Sequence, residues 1–135
     1  MSKSAGNSIG LKDSASEIKK KVQKMFTDPN HLKIEDPGQV EGNMVFTFLD
    51  VFDPRKDEVA ELKAHYQRGG LGDGTLKVRL TEVLENLIGP IRQRREEFEK
   101  DRGEVMNLLF KGSNDAREVA AQTLKEIREA MHLNY

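Results

Sequence analysis

The stretch Thr75-Leu-Lys-Val-Arg-Leu-Thr-Glu-Val-Leu-Glu-Asn-Leu-Ile-Gly-Pro-Ile-Arg-Gln-Arg-Arg95 repeats its apolar residues at the spacing of an α-helix. The apolar positions are Leu76, Leu80, Val83, Leu84, Leu87, Ile88 and Ile91. We therefore predict one long helix, extending to about Asp101. Because proline lacks a backbone donor and clashes with the preceding turn, we also predict a kink at Gly89-Pro90.

Helical periodicity also appears before this stretch. Ser14 and Glu17 form a capping-box pattern that begins a first helix, and Asn43 is a good N-cap for the most apolar segment of the chain. Asp53-Pro54 predicts the start of a third helix, which ends at Gly69-Gly70. Asp73 is predicted to cap the long helix that follows.

After the long helix, Gly103 predicts a break and a short helix around residues 105–110. Lys111-Gly112-Ser113 predicts a further turn, after which a last helix begins at Ser113 or Asn114. Its apolar stripe is Ala116, Val119, Ala120, Leu124, Ile127 and Met131. We expect an all-α fold, a bundle of about five or six helices.

Composition narrows the possible functions. The chain has 135 residues, of which 33% are charged and 6% aromatic, with no cysteine. Disulfides, thiolate nucleophiles and cysteine metal sites are therefore excluded. The net charge of −1 means that any nucleic-acid contact depends on local basic patches. No apolar run approaches the roughly 18–20 residues of a membrane span.

Turn-forming residues fill the segment from Thr27 to Gly42, a connection long enough to predict that it packs on the fold. His31 lies there among acidic residues but without the ligand spacing of a metal site, and we predict no metal. Residues 69–74 are rich in glycine but lack both a preceding strand and the phosphate-loop spacing. Helix caps are the better interpretation of these glycines.

Basic residues concentrate in two places. Arg92, Arg94 and Arg95 are candidate RNA contacts from charge alone, because guanidinium groups pair with phosphate oxygens. The acidic residues that follow them favour the alternative of a solvated face with neighbouring-turn ion pairs. The second place is the segment from Lys12 to Lys24, at and just before the predicted first helix, where the lysines face an RNA backbone, the loop at the start of the chain or solvent. These lysines are Lys12, Lys19, Lys20, Lys21 and Lys24.

The chain opens with Met1-Ser-Lys-Ser-Ala-Gly-Asn7, a small-residue loop with one lysine. Residues 1–4 resemble the last four residues of the Lys-Met-Ser-Lys-Ser signature of class I aminoacyl-tRNA synthetases. The resemblance implies that Met1, Ser2, Lys3 and Ser4 bind ATP. It also implies that Lys3 is catalytic, stabilising the pyrophosphate leaving group. The first lysine of the signature would precede Met1, so we expect the chain to begin inside the motif.

A second resemblance is more specific. Residues 27–52, Thr-Asp-Pro-Asn-His-Leu-Lys-Ile-Glu-Asp-Pro-Gly-Gln-Val-Glu-Gly-Asn-Met-Val-Phe-Thr-Phe-Leu-Asp-Val-Phe, closely resemble bacterial tryptophanyl-tRNA synthetases. The similarity extends from Met1 to Tyr135. It implies that residues 1–13 are the ATP-loop tail of an α/β catalytic domain and that residues 14–135 form the helical, anticodon-binding part. Neither the His-Ile-Gly-His signature of that catalytic domain nor a βαβ pattern occurs in this sequence.

The resemblance implies a tryptophan–tRNA ligase, which activates L-tryptophan with Mg-ATP and charges tRNA(Trp). We expect the parent enzyme to be a cytoplasmic homodimer without a membrane segment. We also expect residues 1–135 alone to bind no ATP and to be inactive. Two alternatives remain open. The chain is a free-standing, non-catalytic RNA-binding protein derived from the synthetase, or it is a helical protein-interaction module.

Overall fold

Five α-helices make up the fold in a computed structural model, which describes residues 6–133. The helices are α1 (Ala15–Gln23), α2 (Met44–Phe52), α3 (Lys56–Arg68), α4 (Asp73–Glu99) and α5 (Arg102–Ala130). Residues 6–133 contain no strand. The prediction of an all-α fold with about five or six helices is confirmed.

The chain divides into two compact units, with the boundary between Gln93 and Arg94. The first unit contains α1 to α3 and most of α4. The second contains the end of α4 and all of α5. The division predicted from the family resemblance, at residue 13, stays a prediction.

The apolar stripes of α1 to α4 form the core of the first unit. Tyr66 and Phe46 are the largest fully buried side chains, and their rings meet edge to face with centroids 5.3 Å apart. The other fully buried residues of this core are Ile18, Val22, Val45, Leu49, Leu76 and Leu80. Within the α4 stripe, the structure leaves Leu87 and Ile91 partly exposed. Helical spacing therefore identified most of the core.

The first two helices begin where the sequence predicts. Ser14 caps α1 and forms the reciprocal capping box, since the Ser14 backbone N–H donates to the Glu17 carboxylate at 2.8 Å. The Asn43 side chain accepts from the backbone N–H of Val45 at 3.0 Å and caps α2. These caps fix the starts of the two short helices, both of which contribute side chains to the core.

The predicted start of α3 at Asp53-Pro54 is wrong. The helix begins at Lys56, and Asp53 is the C-cap of α2. The Asp53 side chain is fully buried, and Arg79 of α4 donates to its carboxylate at 2.8 Å. The Asp53 carboxylate, which the sequence predicted to cap α3, therefore pairs with Arg79 instead.

The loop of residues 27–42 packs on the C-terminal end of α3, as expected. The backbone N–H of Gly38 donates to the Tyr66 carbonyl at 2.9 Å, and that of Gly70 donates to the Ile34 carbonyl at 2.6 Å. A Cβ at position 38 would lie 2.2 Å from a Tyr66 ring carbon, so only glycine fits there. Gly69 ends α3 with a φ of 85°, in the region that glycine favours.

Gly89 and Gly112, where the sequence predicted a kink and a turn, lie inside the continuous helices α4 and α5. α4 runs through Gly89-Pro90 without ending, as predicted; the kink itself remains untested. The break predicted at residues 111–113 is wrong, because α5 is continuous from Arg102 to Ala130. An interior glycine costs a helix only about 1 kcal/mol relative to alanine. The good helix formers on both sides of Gly112 outweigh that cost.

No residue of α5 is buried in the described chain. Its apolar stripe is therefore exposed; Leu109, Val119 and Leu124 are examples. Among the described residues, no helix is long and apolar enough to cross a bilayer.

Candidate functional site

The residues with the most specific predicted chemistry, Met1 to Ser4, lie outside the described residues. Their predicted ATP contacts therefore stay predictions. The structure does describe the segment that follows them, from Gly6 to Asp13, and shows how that segment is attached to the helices.

Asp13 is the centre of this attachment. Its carboxylate accepts from the backbone N–H of Gly10 at 2.8 Å and from the Lys21 ammonium. The hydrogen bond from Lys21 lowers the pKa of Asp13 below its usual value, although burial opposes ionisation. A charged Asp13 thus ties the opening segment to α1.

Arg92 of α4 completes the same cluster. Its Nη1 donates to the backbone carbonyl of Asp13 at 2.6 Å, and its Nη2 pairs with Glu85. The Arg92 side chain is 20% exposed. The residue predicted to bind RNA is therefore engaged, at least in part, in holding the end of the opening segment against α4. Nothing in the sequence indicated this contact, because Asp13 and Arg92 are 79 positions apart.

Arg94 and Arg95 are both exposed. Arg95 pairs with Glu99, one helical turn away, as the solvated-face alternative predicts. The Arg94 guanidinium has no ion-pair or hydrogen-bond partner within residues 6–133. Exposed pairs of this kind contribute about 0.2–1 kcal/mol. Neither guanidinium therefore contributes much to the stability of the fold. The prediction that Arg94 and Arg95 contact RNA stays a prediction.

His31 belongs to a polar cluster beneath the loop of residues 27–42. The Tyr66 hydroxyl donates to the Asp73 carboxylate at 2.8 Å, the Thr27 hydroxyl donates to it at 3.1 Å, and His31 Nδ1 lies 3.6 Å from it. Burial, together with the hydrogen bond to Asp73, raises the pKa of Tyr66. Asp73, the first residue of α4, therefore contacts the side chains of Tyr66, Thr27 and His31. No three His, Asp or Glu side chains in residues 6–133 converge as metal ligands.

A family model described as tRNA synthetases class I (W and Y) matches residues 1–89 of this chain. The match covers the opening segment, α1 to α3 and most of α4.

Whole-chain similarity extends to bacterial tryptophan–tRNA ligases. The ligase of Streptococcus pyogenes serotype M3 is 56% identical over 137 aligned residues, and that of Streptococcus pneumoniae serotype 4 is 57% identical. The ligase of Clostridium longisporum is 57% identical over 135 residues. In each alignment all of this chain is covered, but it spans only 40% of the relative's length.

Solved structures also show similarity to a tryptophanyl-tRNA synthetase. Tryptophanyl-tRNA synthetase from Campylobacter jejuni superimposes with a TM-score of 0.79 and 27% sequence identity, over 98% of this chain and 42% of the synthetase. A second structure of that enzyme, complexed with ADP and tryptophan, gives a TM-score of 0.80.

Proposed function

We propose a function from one premise: the chain belongs to the family of class I tRNA synthetases for tryptophan and tyrosine (W and Y). It is the ATP-loop and tRNA-binding part of a tryptophan–tRNA ligase. The ligase activates L-tryptophan with Mg-ATP and then charges tRNA(Trp). We further propose that this enzyme acts in the cytoplasm as a homodimer. The observation that carries the proposal is the alignment of all 135 residues with tryptophan–tRNA ligases at 56–57% identity.

In this proposal Lys3 acts during tryptophan activation. The tryptophan carboxylate attacks the α-phosphorus of ATP, and the bond to the β-phosphate breaks to release pyrophosphate. The Lys3 ammonium faces the charge that develops on the leaving group, where a pre-positioned cation lowers the barrier. Met1, Ser2 and Ser4 contact the same ATP. These roles follow from the signature that residues 1–4 resemble.

The cluster at Asp13 supports this role by holding the loop's attachment point. Gly10, Lys21 and Arg92 all donate to Asp13, through its carboxylate or its carbonyl. A fixed attachment point reduces the conformational freedom that the residues before it lose when they bind a ligand. Arg92 is then a positioning residue in addition to its candidate role in RNA binding.

Anticodon recognition can be tested by a binding experiment with residues 1–135 alone. We expect them to bind a hairpin with the tRNA(Trp) anticodon stem and loop, and to bind it about tenfold or more weakly when the CCA anticodon is changed. A single well-placed contact to a base edge discriminates by about 1–3 kcal/mol. The measurement is a fluorescence anisotropy titration of both hairpins at one salt concentration. Equal affinities would contradict anticodon recognition by this chain.

We propose that Arg94 and Arg95 contact the tRNA backbone. Replacing both with glutamine should weaken binding of the same hairpin and reduce the slope of log K against log salt by about two, roughly one for each lost phosphate contact. The measurement is the titration repeated over a series of salt concentrations. Arg92→Gln is made separately, because it also removes the contacts with Asp13 and Glu85.

A matched control removes two other exposed arginines of the second unit, Arg102 and Arg128. The variant Arg102→Gln/Arg128→Gln changes net charge equally and should leave the salt slope nearly unchanged. If both double variants lose the same affinity and slope, the contacts are nonspecific and Arg94 and Arg95 are not a site.

A further inference from the structure

A groove lined by both basic and apolar side chains lies on the first unit, beside the described start of the chain. Its volume is about 550 Å³. Lys20, Lys21 and Lys24 line it, together with Phe26 and other apolar side chains. We call it the lysine–phenylalanine groove. Nothing in the proposed roles of Lys3, Arg94 or Arg95 accounts for it.

The groove carries a net positive charge, and two of its three lysines form no ion pair within the described residues. Lys20 lies in the last turn of α1, and Lys24, four positions later, is the C-cap residue of that helix. Within residues 6–133, neither ammonium has an ion-pair or hydrogen-bond partner. Lys21 is bound to Asp13, and the one acidic lining residue, Glu17, is held in the capping box with Ser14. Lys20 and Lys24 are therefore available to an external anion.

The lining of the groove includes an exposed aromatic ring. Phe26 is 60% exposed, and its backbone carbonyl accepts from the N–H of Met44 at 3.2 Å, which fixes the chain at the start of α2. Met44 itself is 38% exposed, and Met25 and Phe48 are the other apolar side chains of the lining. An exposed phenylalanine on an anchored backbone is a suitable surface for stacking a planar group.

Free cations beside an exposed aromatic ring are the combination that binds unpaired nucleic acid. The cations pair with phosphates and the ring stacks with a base, which is accessible only where the strand is not in a duplex. A simple anion would not need the apolar lining residues, and a purely apolar partner would not need the lysines.

We propose that the lysine–phenylalanine groove binds an unpaired stretch of RNA, with Lys20 and Lys24 on phosphates and Phe26 against a base. The proposal rests on the proposed function, in which the RNA is tRNA. It adds a second RNA contact in the first unit, separate from anticodon recognition.

The test uses residues 1–135 and a short fluorescein-labelled single-stranded RNA, with the same strand annealed into a duplex as a second probe. Phe26→Leu should lower single-strand affinity about five- to hundredfold, since stacking on an aromatic side chain is worth that much per base. Its effect on the duplex should be small. Phe110→Leu is the matched control, because Phe110 is also 60% exposed.

The lysines are tested through the salt dependence. Lys20→Gln/Lys24→Gln should reduce the single-strand salt slope by about 1.4, at roughly 0.7 for each phosphate contact. Lys33→Gln/Lys100→Gln removes two other exposed lysines and should change the slope little. Far-ultraviolet circular dichroism of each variant verifies that the helices are intact.

Two results would overturn the groove as an RNA site: an unchanged single-strand affinity in folded Phe26→Leu, or equal slope changes in the two lysine pairs. Binding of phosphatidylglycerol vesicles in place of RNA, lost in the same variants, would also contradict it. The anticodon-hairpin titration reports separately on the proposed function. If hairpin discrimination fails while Phe26 still governs single-strand binding, the proposed function fails and the groove stands.

Discussion

Replacing Lys3 with alanine is expected to lower tryptophan-dependent ATP–pyrophosphate exchange by about 10²- to 10³-fold, the usual effect of removing one pre-positioned group that stabilises transition-state charge. The assay uses a hybrid enzyme in which residues 1–135 replace the aligned segment of the Streptococcus pneumoniae tryptophan–tRNA ligase, which is 57% identical over 137 residues. The loss should appear mainly in kcat, because the leaving group becomes more negative only as the phosphoanhydride breaks.

Lys33→Ala provides the control for this variant. Lys33 is exposed in the loop of residues 27–42, and its removal changes net charge by the same amount. We expect exchange by that hybrid to stay within about twofold of the unsubstituted hybrid, as for a surface lysine without a partner. Equal activity of the Lys3→Ala and unsubstituted hybrids would remove Lys3 from the mechanism.

Replacing Asp53 with alanine is expected to lower the free energy of unfolding of the first unit by about 2–3 kcal/mol, because the Arg79 Nε–H and the Arg55 backbone N–H lose their buried acceptor. Arg79 keeps its second ion pair, with the half-exposed Glu58, which limits the loss. The Asp53 side chain is fully buried, and the Arg79 side chain is only 18% exposed. The measurement is urea unfolding followed by near-ultraviolet circular dichroism, to which the buried Tyr66 contributes. Asp50→Ala, which removes an exposed pair with Lys63, should cost less than about 1 kcal/mol.

The effect of Asp53 should depend on pH. Burial opposes ionisation of its carboxyl, but the hydrogen bonds from Arg79 and from the Arg55 backbone, with their charges, outweigh it and lower the pKa. A lowered pKa stabilises the fold above the unfolded value of about 3.9, and the stabilisation is lost as pH falls through the folded pKa. The stability difference between the parent and Asp53→Ala should therefore narrow below about pH 4. A difference that grows on acidification would contradict the ion-pair account.

Local sequence signals predicted local structure well. Ser14, Glu17 and Asn43 cap the helices that they were expected to cap, because a cap depends on residues within one turn. The periodic stripe from Leu76 to Ile88 is buried, except at Leu87, for the same reason: helical spacing fixes which residues share a face. The loop around Gly38 packs on α3, as its length suggested.

Contacts between distant residues were not predictable from one sequence. Asp53 was assigned as a helix cap because Asp-Pro is a good local start signal, and its partner Arg79 lies 26 positions away. Arg92 was assigned to RNA from charge alone, and its contacts with Asp13 and Glu85 depend on the packing of α4. The Tyr66–Asp73 hydrogen bond beneath residues 27–42 likewise had no sequence signal of its own.

The lysine–phenylalanine groove was not predictable from the sequence for the same reason. The lysines of α1 were visible as a charged face, with RNA, the opening loop and solvent as open alternatives. Only the fold places Phe26 and Met44 beside Lys20 and Lys24. That combination of charge and an aromatic surface distinguishes an RNA groove from an ordinary solvated helix.

The most direct measurement is tryptophan-dependent charging of tRNA(Trp) by the unsubstituted hybrid enzyme. The proposed function predicts charging that requires ATP and tryptophan and that is lost with Lys3→Ala. A folded hybrid that binds tryptophan and ATP through the Streptococcus pneumoniae portion but charges no tRNA(Trp) would contradict the account. Residues 1–135 would then be unable to serve as the ATP-loop and tRNA-binding part of a tryptophan–tRNA ligase.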